Sequence, residues 1–243
     1  MPEQHRQAAP DPTAIPDLPA TGSESESESA TGSGSGPESW TAIGPRTALR
    51  PVRPGDAAAF TAAARASTAL HHPWLFPPLT AADFAEWAGR LTDDPARAGF
   101  LLCERDSGRI AGFVNINNIV LGGFRCGALG YGAFAHAAGR GLMGEGLRLV
   151  VAHAFGPLGL HRLEANVQPG NTASLRLVRG AGFRREGFSP AFLRIDGRWR
   201  DHERWAITAD MPVLPAPGPP VLPVPGPAAT PAAPAAPGDF AEE

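Results

Sequence analysis

The sequence predicts an α/β fold of the α+β kind: a mixed, mostly antiparallel central sheet flanked by helices, with one central β-α-β crossover. Three observations carry that expectation. Apolar residues alternate through 99–105 and again through 109–120 across a short Asp106-Ser107-Gly108 turn, which is a hairpin signal. A strand at 128–134 leads through a glycine-rich turn into a helix and out to another strand at 161–167, the single parallel connection. Both ends of the chain have compositions that cannot support a core, which leaves residues 45–210, about 165 in all, as one domain of sufficient size.

The elements follow in order. From Thr47, Leu-Arg-Pro-Val-Arg-Pro reads as a strand that stops at Gly55-Asp56, and Ala57–Ala69 is an Ala-rich helix with Asp56 placed to cap it. His71–Pro78 is a stiff aromatic loop, and a second helix runs from Thr80 to about Leu91, with Asp83 three residues after the Thr cap. The hairpin comes next, followed by a strand at Ala128–Phe134 after the Gly122-Gly123 loop. Helix Gly139–Phe155 puts Leu142, Leu149, Val150 and Ala154 on one face and ends in Gly-Pro-Leu-Gly. Strand His161–Val167 turns Leu163, Ala165 and Val167 to one side and Arg162, Glu164 and Asn166 to the other. Asn171 opens a helix at Thr172–Gly180, and strands at about Phe183–Ile195 and Arg200–Thr208 close the domain around Asp196-Gly197.

Residues 1–44, rich in Ser, Glu and Gly, hold too little apolar surface to offset the entropy of ordering and read as a disordered tail. Residues 211–243 contain eleven prolines among Ala, Val and Gly and read as a second, extended tail. The chain's formal charge is −3; the first tail contributes −6 and the second −3, so the domain between them carries +6. A basic domain suits an anionic partner such as a phosphorylated cofactor or nucleic acid, and solvated surface arginines would give the same balance. All 21 basic residues are Arg. The lack of Lys excludes a phosphate-loop lysine and a pyridoxal-phosphate Schiff base. Cys103 and Cys126 have neither disulfide-framework nor zinc spacing and are expected to be buried thiols. His71, His72 and His202 show no metal-ligand spacing, so no metal is expected. No apolar run marks a signal peptide, and the prolines of the second tail rule out a spanning helix there, so the protein is expected to be soluble and cytoplasmic, with no membrane partner.

The most informative stretch is His136-Ala-Ala-Gly-Arg-Gly-Leu-Met-Gly144, which opens a helix directly after an apolar strand. The first turn of a helix carries N–H groups with no intrahelical partner and a partial positive charge, so phosphate oxygens bind there when no side chain obstructs them. Gly139, Gly141 and Gly144 remove that obstruction. Two cofactor classes use such a turn. Gly139-x-Gly141-x-x-Gly144 fits the dinucleotide fingerprint, with Glu164 20 residues beyond it. Against that reading, Ala135–Ala138 separate the strand from the first glycine, the motif follows a hairpin late in the domain, and only one crossover exists.

The competing pattern joins Gly130-Tyr131, Gly139-Arg-Gly-Leu-Met143, His161-Arg-Leu-Glu-Ala-Asn166, Asn171-Thr-Ala-Ser174 and Asp196-Gly-Arg-Trp-Arg-Asp-His202 in one order. In these blocks residues 45–208 resemble the GNAT acyltransferase superfamily and, within it, the RimJ/RimL-type protein N-acetyltransferases. One departure is His136, where the superfamily pattern has Gln or Arg.

The resemblance implies that acetyl-CoA is the cosubstrate. Its pyrophosphate would rest on N–H groups near Gly139, Arg140, Gly141, Met143 and Gly144, and its pantetheine amides would pair with the backbone of Tyr131 to Ala133 as an added strand. The implied acceptor is an α-amino group of a protein or peptide, a ribosomal protein among the candidates. A small-molecule amine or antibiotic, or a non-catalytic acyl-CoA-binding role, are the alternatives. Direct nucleic-acid binding has no support beyond the basic charge. Glu164 is the candidate general base, with a structural pair to Arg162 as its other reading. Asn171 is a helix N-cap by position and, by resemblance, a pantetheine ligand. Ser174 is implied to hydrogen-bond the departing CoA thiolate, and is otherwise an ordinary helix serine. The loop His71–Pro78 and the turn around Asp196–His202 are expected to flank the acceptor mouth.

Overall fold

A computed structural model of the chain describes residues 40–211. The two compositional tails lie outside the described residues, apart from 40–44 and 211. In chain order the elements are β1 (Ala42–Ile43), β2 (Thr47–Pro51), α1 (Ala57–Ala66), α2 (Thr68–His71), α3 (Ala81–Asp93), β3 (Ala98–Glu104) and β4 (Ile110–Val120). There follow β5 (Cys126–Ala133), α4 (Leu142–Phe155), β6 (Arg162–Val167), α5 (Thr172–Gly180), β7 (Arg184–Ile195) and β8 (Arg198–Thr208). The strands form one sheet in the order β1-β2-β3-β4-β5-β6-β8-β7. Every neighbouring pair is antiparallel except β5 with β6, which α4 connects. The mixed sheet and its single central crossover are as the sequence predicts.

Helices cover both faces of the sheet because its central strands are apolar on both sides. In β3, Phe100 and Leu102 join the core cluster that holds α4, whereas Leu101 and Cys103 join a second cluster with α1 and α3. Phe60 of α1 is fully buried there, its ring 5.0–5.4 Å from those of Phe84, Trp87, Phe113 and Phe134. Burying a side chain of that size contributes about 2–3 kcal/mol. Cys103 and Cys126 are both buried. No helix among the described residues is long and apolar enough to cross a membrane.

Two local expectations are corrected. Asp56 makes no side-chain cap to α1. Its carboxylate instead takes two bonds from Arg50, at 2.6 and 2.8 Å, and one from Arg53 N at 2.8 Å, because the guanidinium of Arg50 is buried at the sheet and needs an opposite charge. The boundary at residue 45 is also at least three residues late: Ala42 and Ile43 pair with Leu49 and Ala48, and Trp40 packs against the second cluster. By contrast Thr80 caps α3 by accepting from Asp83 N, as its position predicts.

Candidate active site

The glycine turn folds as the sequence requires. Gly139 and Gly141 have φ of 74° and 77°, a left-handed conformation that a Cβ disfavours, and Gly141 is the N-cap of α4. The first ladder bond of the helix runs from Glu145 N to Gly141 O at 3.3 Å. The amides of Leu142, Met143 and Gly144 lie ahead of it, and no hydrogen bond among the described residues takes them up. A Cβ built on Gly139 would have open space, whereas one on Gly141 would stand 3.2 Å from Arg46 Nη2. Met143 turns its side chain into the core and Arg140 sends its guanidinium to Glu104, at 2.6 and 3.1 Å, so both residues present only main chain to the turn. The His136 ring stacks on Phe134, and burial lowers its pKa, which leaves it neutral near pH 7.

Glu145, which the sequence reading did not single out, anchors this turn to β2. Its Oε1 accepts from Arg46 N at 2.7 Å, Thr47 N at 2.9 Å and Thr47 Oγ1 at 2.9 Å, and its Oε2 pairs with Arg46 Nε at 3.2 Å. Arg46 Nη1 in turn donates to Arg140 O at 3.1 Å. Burial is the largest influence on Glu145 and pushes its pKa up, but these hydrogen bonds together outweigh it and hold the carboxyl below its usual range. A group depressed in the folded state stabilises the protein above its unfolded pKa of about 4.3, and that stabilisation is lost as pH falls through the folded value. Glu145→Leu strands the donors of Arg46 and Thr47, and should lower stability by about 3 kcal/mol in urea unfolding at pH 7. The difference between the two proteins should shrink as the pH is lowered below about 4.

Beyond the turn, β5 and β6 separate. Their parallel pairing runs from Cys126↔Arg162 to Leu129↔Ala165 and stops, although β5 continues to Ala133 and β6 to Val167. Phe134 N bonds to Ala111 O on the β4 side, so the alternation of the strand turns the main-chain groups of Tyr131 and Ala133 toward the gap. One of these groups is already engaged: Ala133 O accepts from His71 Nε2 at 2.7 Å. That part of the added-strand expectation is corrected, since the protein itself holds this carbonyl. Burial lowers the His71 pKa against the opposing effect of this bond, consistent with a neutral ring that carries its hydrogen on Nε2.

The two faces of the gap differ chemically. On the α4 and α5 side, Tyr131 Oη lies 2.6 Å from Ser174 Oγ. Asn171 Oδ1 accepts from Ser174 N at 3.1 Å, the helix-cap geometry its position predicts. Burial drives the Tyr131 pKa up to about 12, with the Ser174 bond opposing, so the phenol keeps its proton at any physiological pH. The sequence reading named both residues and missed the pair they form. On the opposite face stands Glu164, since Leu163, Ala165 and Val167 of the same strand are buried in the α4 cluster. Arg162 Nε donates to Glu164 Oε1 at 2.9 Å, and Arg204 Nη2 lies 3.6 Å from Oε2. The pair with Arg162 that the sequence allowed is therefore present, and Arg162 also reaches Glu186. The loop and the turn expected at the acceptor mouth do meet: Trp74, Gln168, Gly170, Trp199 and Asp201 line an open cleft of about 270 Å³.

A turn of bare amides, one parallel crossover and strands that part beyond it define a recognisable frame, and the acetyltransferase (GNAT) domain family matches residues 46–184. The chain belongs to the GNAT acetyltransferase family. It is 40% identical over 99 residues to the probable N-acetyltransferase YjcK of Bacillus subtilis, covering 41% of this chain and 55% of that protein. It is 38% identical over 109 residues to the ribosomal protein uS5-alanine N-acetyltransferase of Escherichia coli, covering 45% and 56%. The chain thus spans about half the length of these curated GNAT relatives. Among solved structures, RimJ of Mycobacterium smegmatis in complex with CoA-disulfide is similar with a TM-score of 0.63 and 31% identity, over 67% of this chain and 82% of that one. The spermidine N-acetyltransferase of Vibrio cholerae shares the GNAT fold at 20% identity and a TM-score of 0.58, over 67% and 95%.

Proposed function

We propose that the chain is an acetyl-CoA-dependent N-acetyltransferase whose acceptor is the α-amino group of a protein or peptide. The observation that carries this reading is the gap between β5 and β6, which has bare helix amides at one end, a protonated hydroxyl pair on one face and a carboxylate on the other. One of the curated relatives is named for alanine acetylation of ribosomal protein uS5, and it favours a protein acceptor of that kind.

The residues fit coenzyme A. The amides of Leu142, Met143 and Gly144, with the left-handed Gly139 and Gly141 before them, suit a diphosphate, and Arg140 contributes its main chain. Tyr131 N and O and Ala133 N remain to pair with the pantetheine arm, while Asn171 closes it from α5. Bound acetyl-CoA supplies a thioester acyl group and a thiolate leaving group. The chain's own residues then handle two protons. Glu164 accepts one from the acceptor ammonium, an undemanding task for an α-amino group with a pKa of about 8 compared with about 10.4 for lysine. The Tyr131–Ser174 pair offers a hydrogen to the departing sulfur through Ser174 Oγ, with the phenol behind it.

Glu164→Gln retains the Arg162 contact through its amide oxygen and removes the base. It should lower kcat/KM for a peptide about 10²-fold without weakening CoA binding in calorimetry; a loss below threefold would leave Glu164 as a structural ion pair only. For the function itself, a peptide library with varied first residues is incubated with acetyl-CoA and read by mass spectrometry. One acetyl added at the α-amino group of certain peptides is the expected result, and transfer confined to small amines would replace the proposed acceptor.

A further inference from the structure

The residues around the gap include two side-chain oxygens that nothing in the fold explains. Asn115 Oδ1 of β4 and Asn166 Oδ1 of β6 are buried with no hydrogen-bond partner among the described residues, and Asn115 is only 8% exposed. Buried amide oxygens are partnered in the great majority of cases, so two unpartnered ones near one cleft point to a missing donor. Their neighbour Asn117 shows the contrast, since its Oδ1 accepts from Arg97 Nη1 at 3.1 Å.

Register places the two on one row of the sheet. Asn115 pairs with Gly130, the first residue of β5 beyond the last parallel pair, Leu129↔Ala165. Asn166 is the first residue of β6 beyond that same pair. The row therefore reads Asn115, Gly130, the gap, Asn166, and both asparagines lie on the face that carries Glu164. Gly130 has no side chain to cover the floor between them, and among the described residues the only atom within 4 Å of a Cβ built there is Asn117 Nδ2, at 3.4 Å. Hydroxyls and helix amides belong to the other face and to the far end. The Glu164 face adds two unpartnered amide oxygens to a carboxylate, beside the guanidiniums of Arg162 and Arg204 that Glu164 already engages.

We propose that Asn115 and Asn166 bind the acceptor, their Oδ1 atoms accepting from its N–H groups. This rests on the transfer reading given above and narrows it to a substrate class. An α-amino terminus of a peptide brings two kinds of donor a few ångströms apart, the ammonium and the first peptide N–H. A simple amine brings only the ammonium. Two acceptor oxygens on one row, with Glu164 two residues before Asn166, give such a terminus a partner for each of its donors.

The test is calorimetric titration of an Ala-led tripeptide amide into protein saturated with CoA, so that binding is read without turnover. Asn115→Leu and Asn166→Leu keep the side-chain volume and remove the oxygen; each should weaken peptide binding about tenfold. Asn115→Asp and Asn166→Asp keep an acceptor oxygen and should bind the peptide at least as tightly as the wild type, which separates a lost contact from a misfolded strand. Methylation of the peptide's first peptide nitrogen should cost the wild type about tenfold and cost one of the two Leu variants nothing further. Unchanged peptide affinity in both Leu variants overturns the proposal. So does a loss of CoA affinity in them, which would assign the oxygens to the pantetheine arm. If the peptide binds with this dependence and yet gains no acetyl group, the transfer reading fails and the binding assignment stands.

Discussion

Gly141→Val should abolish measurable CoA binding while leaving the domain folded. Position 141 holds a φ of 77° and caps α4, and a β-branched residue in that conformation carries about 1–3 kcal/mol of strain. The added Cβ also stands 3.2 Å from Arg46 Nη2, part of the clamp on the turn. The backbone relieves both by returning to negative φ, and the amides of Leu142 to Gly144 then no longer converge on one point. Losing two charge-assisted hydrogen bonds of about 1.5–3 kcal/mol each corresponds to a fall in affinity of 10²-fold or more. Neighbouring glycines grade the effect. Gly139→Ala meets open space and carries only the penalty of its φ of 74°, so about tenfold is expected. Gly144→Ala sits inside the helix with its nearest neighbours at 3.8 Å, so it should fold as well as the wild type and report only whether a Cβ hinders the ligand. Calorimetry with CoA, beside a urea unfolding curve for each variant, separates site damage from fold damage.

The second large effect is expected at the hydroxyl pair. Tyr131→Phe and Ser174→Ala should each reduce kcat about 10²-fold with CoA affinity little changed, because what each removes is the hydrogen offered to the departing sulfur. Their Oη and Oγ atoms are 2.6 Å apart and act as one donor, so the double variant should be scarcely slower than either single one. Additive losses would mean two independent roles. The pH profile gives a further check. With the phenol pKa near 12, no basic limb below about pH 10 should come from Tyr131, and an acidic limb should instead follow deprotonation of the acceptor.

What could be read from the sequence was what depends on near neighbours. The hairpin across Asp106-Gly108, the Thr80 cap and the α5 start at Asn171 each rest on residues within a few positions of one another, and each formed where expected. The glycine turn was legible for the same reason, as unobstructed main chain at a helix start, and the positive φ of Gly139 and Gly141 is what the structure adds. The contacts that were missed are long-range. Glu145 reaches Arg46 across 99 positions, His71 reaches Ala133 across 62, and Tyr131 reaches Ser174 across 43. No periodicity in one sequence reports such pairs, although Glu145 did carry a signal: an acid in the first turn of an otherwise apolar helix face asks for a buried partner. Asp56 failed as a cap because a buried arginine on the preceding strand competed for its carboxylate, and a rule based on position alone cannot weigh that. The first strand escaped notice because Trp40–Ile43 adjoins a stretch of Ser, Glu and Gly whose composition dominates any window that includes it.

Everything proposed for this domain depends on the amides at the start of α4 gripping the diphosphate of coenzyme A. A crystal structure with CoA tests that most directly. The account predicts diphosphate oxygens within hydrogen-bond distance of Met143 N and Gly144 N, with the sulfur between β5 and β6 beside Ser174. A diphosphate bound away from residues 139–144, or a nicotinamide dinucleotide accepted there in preference to CoA, would contradict it.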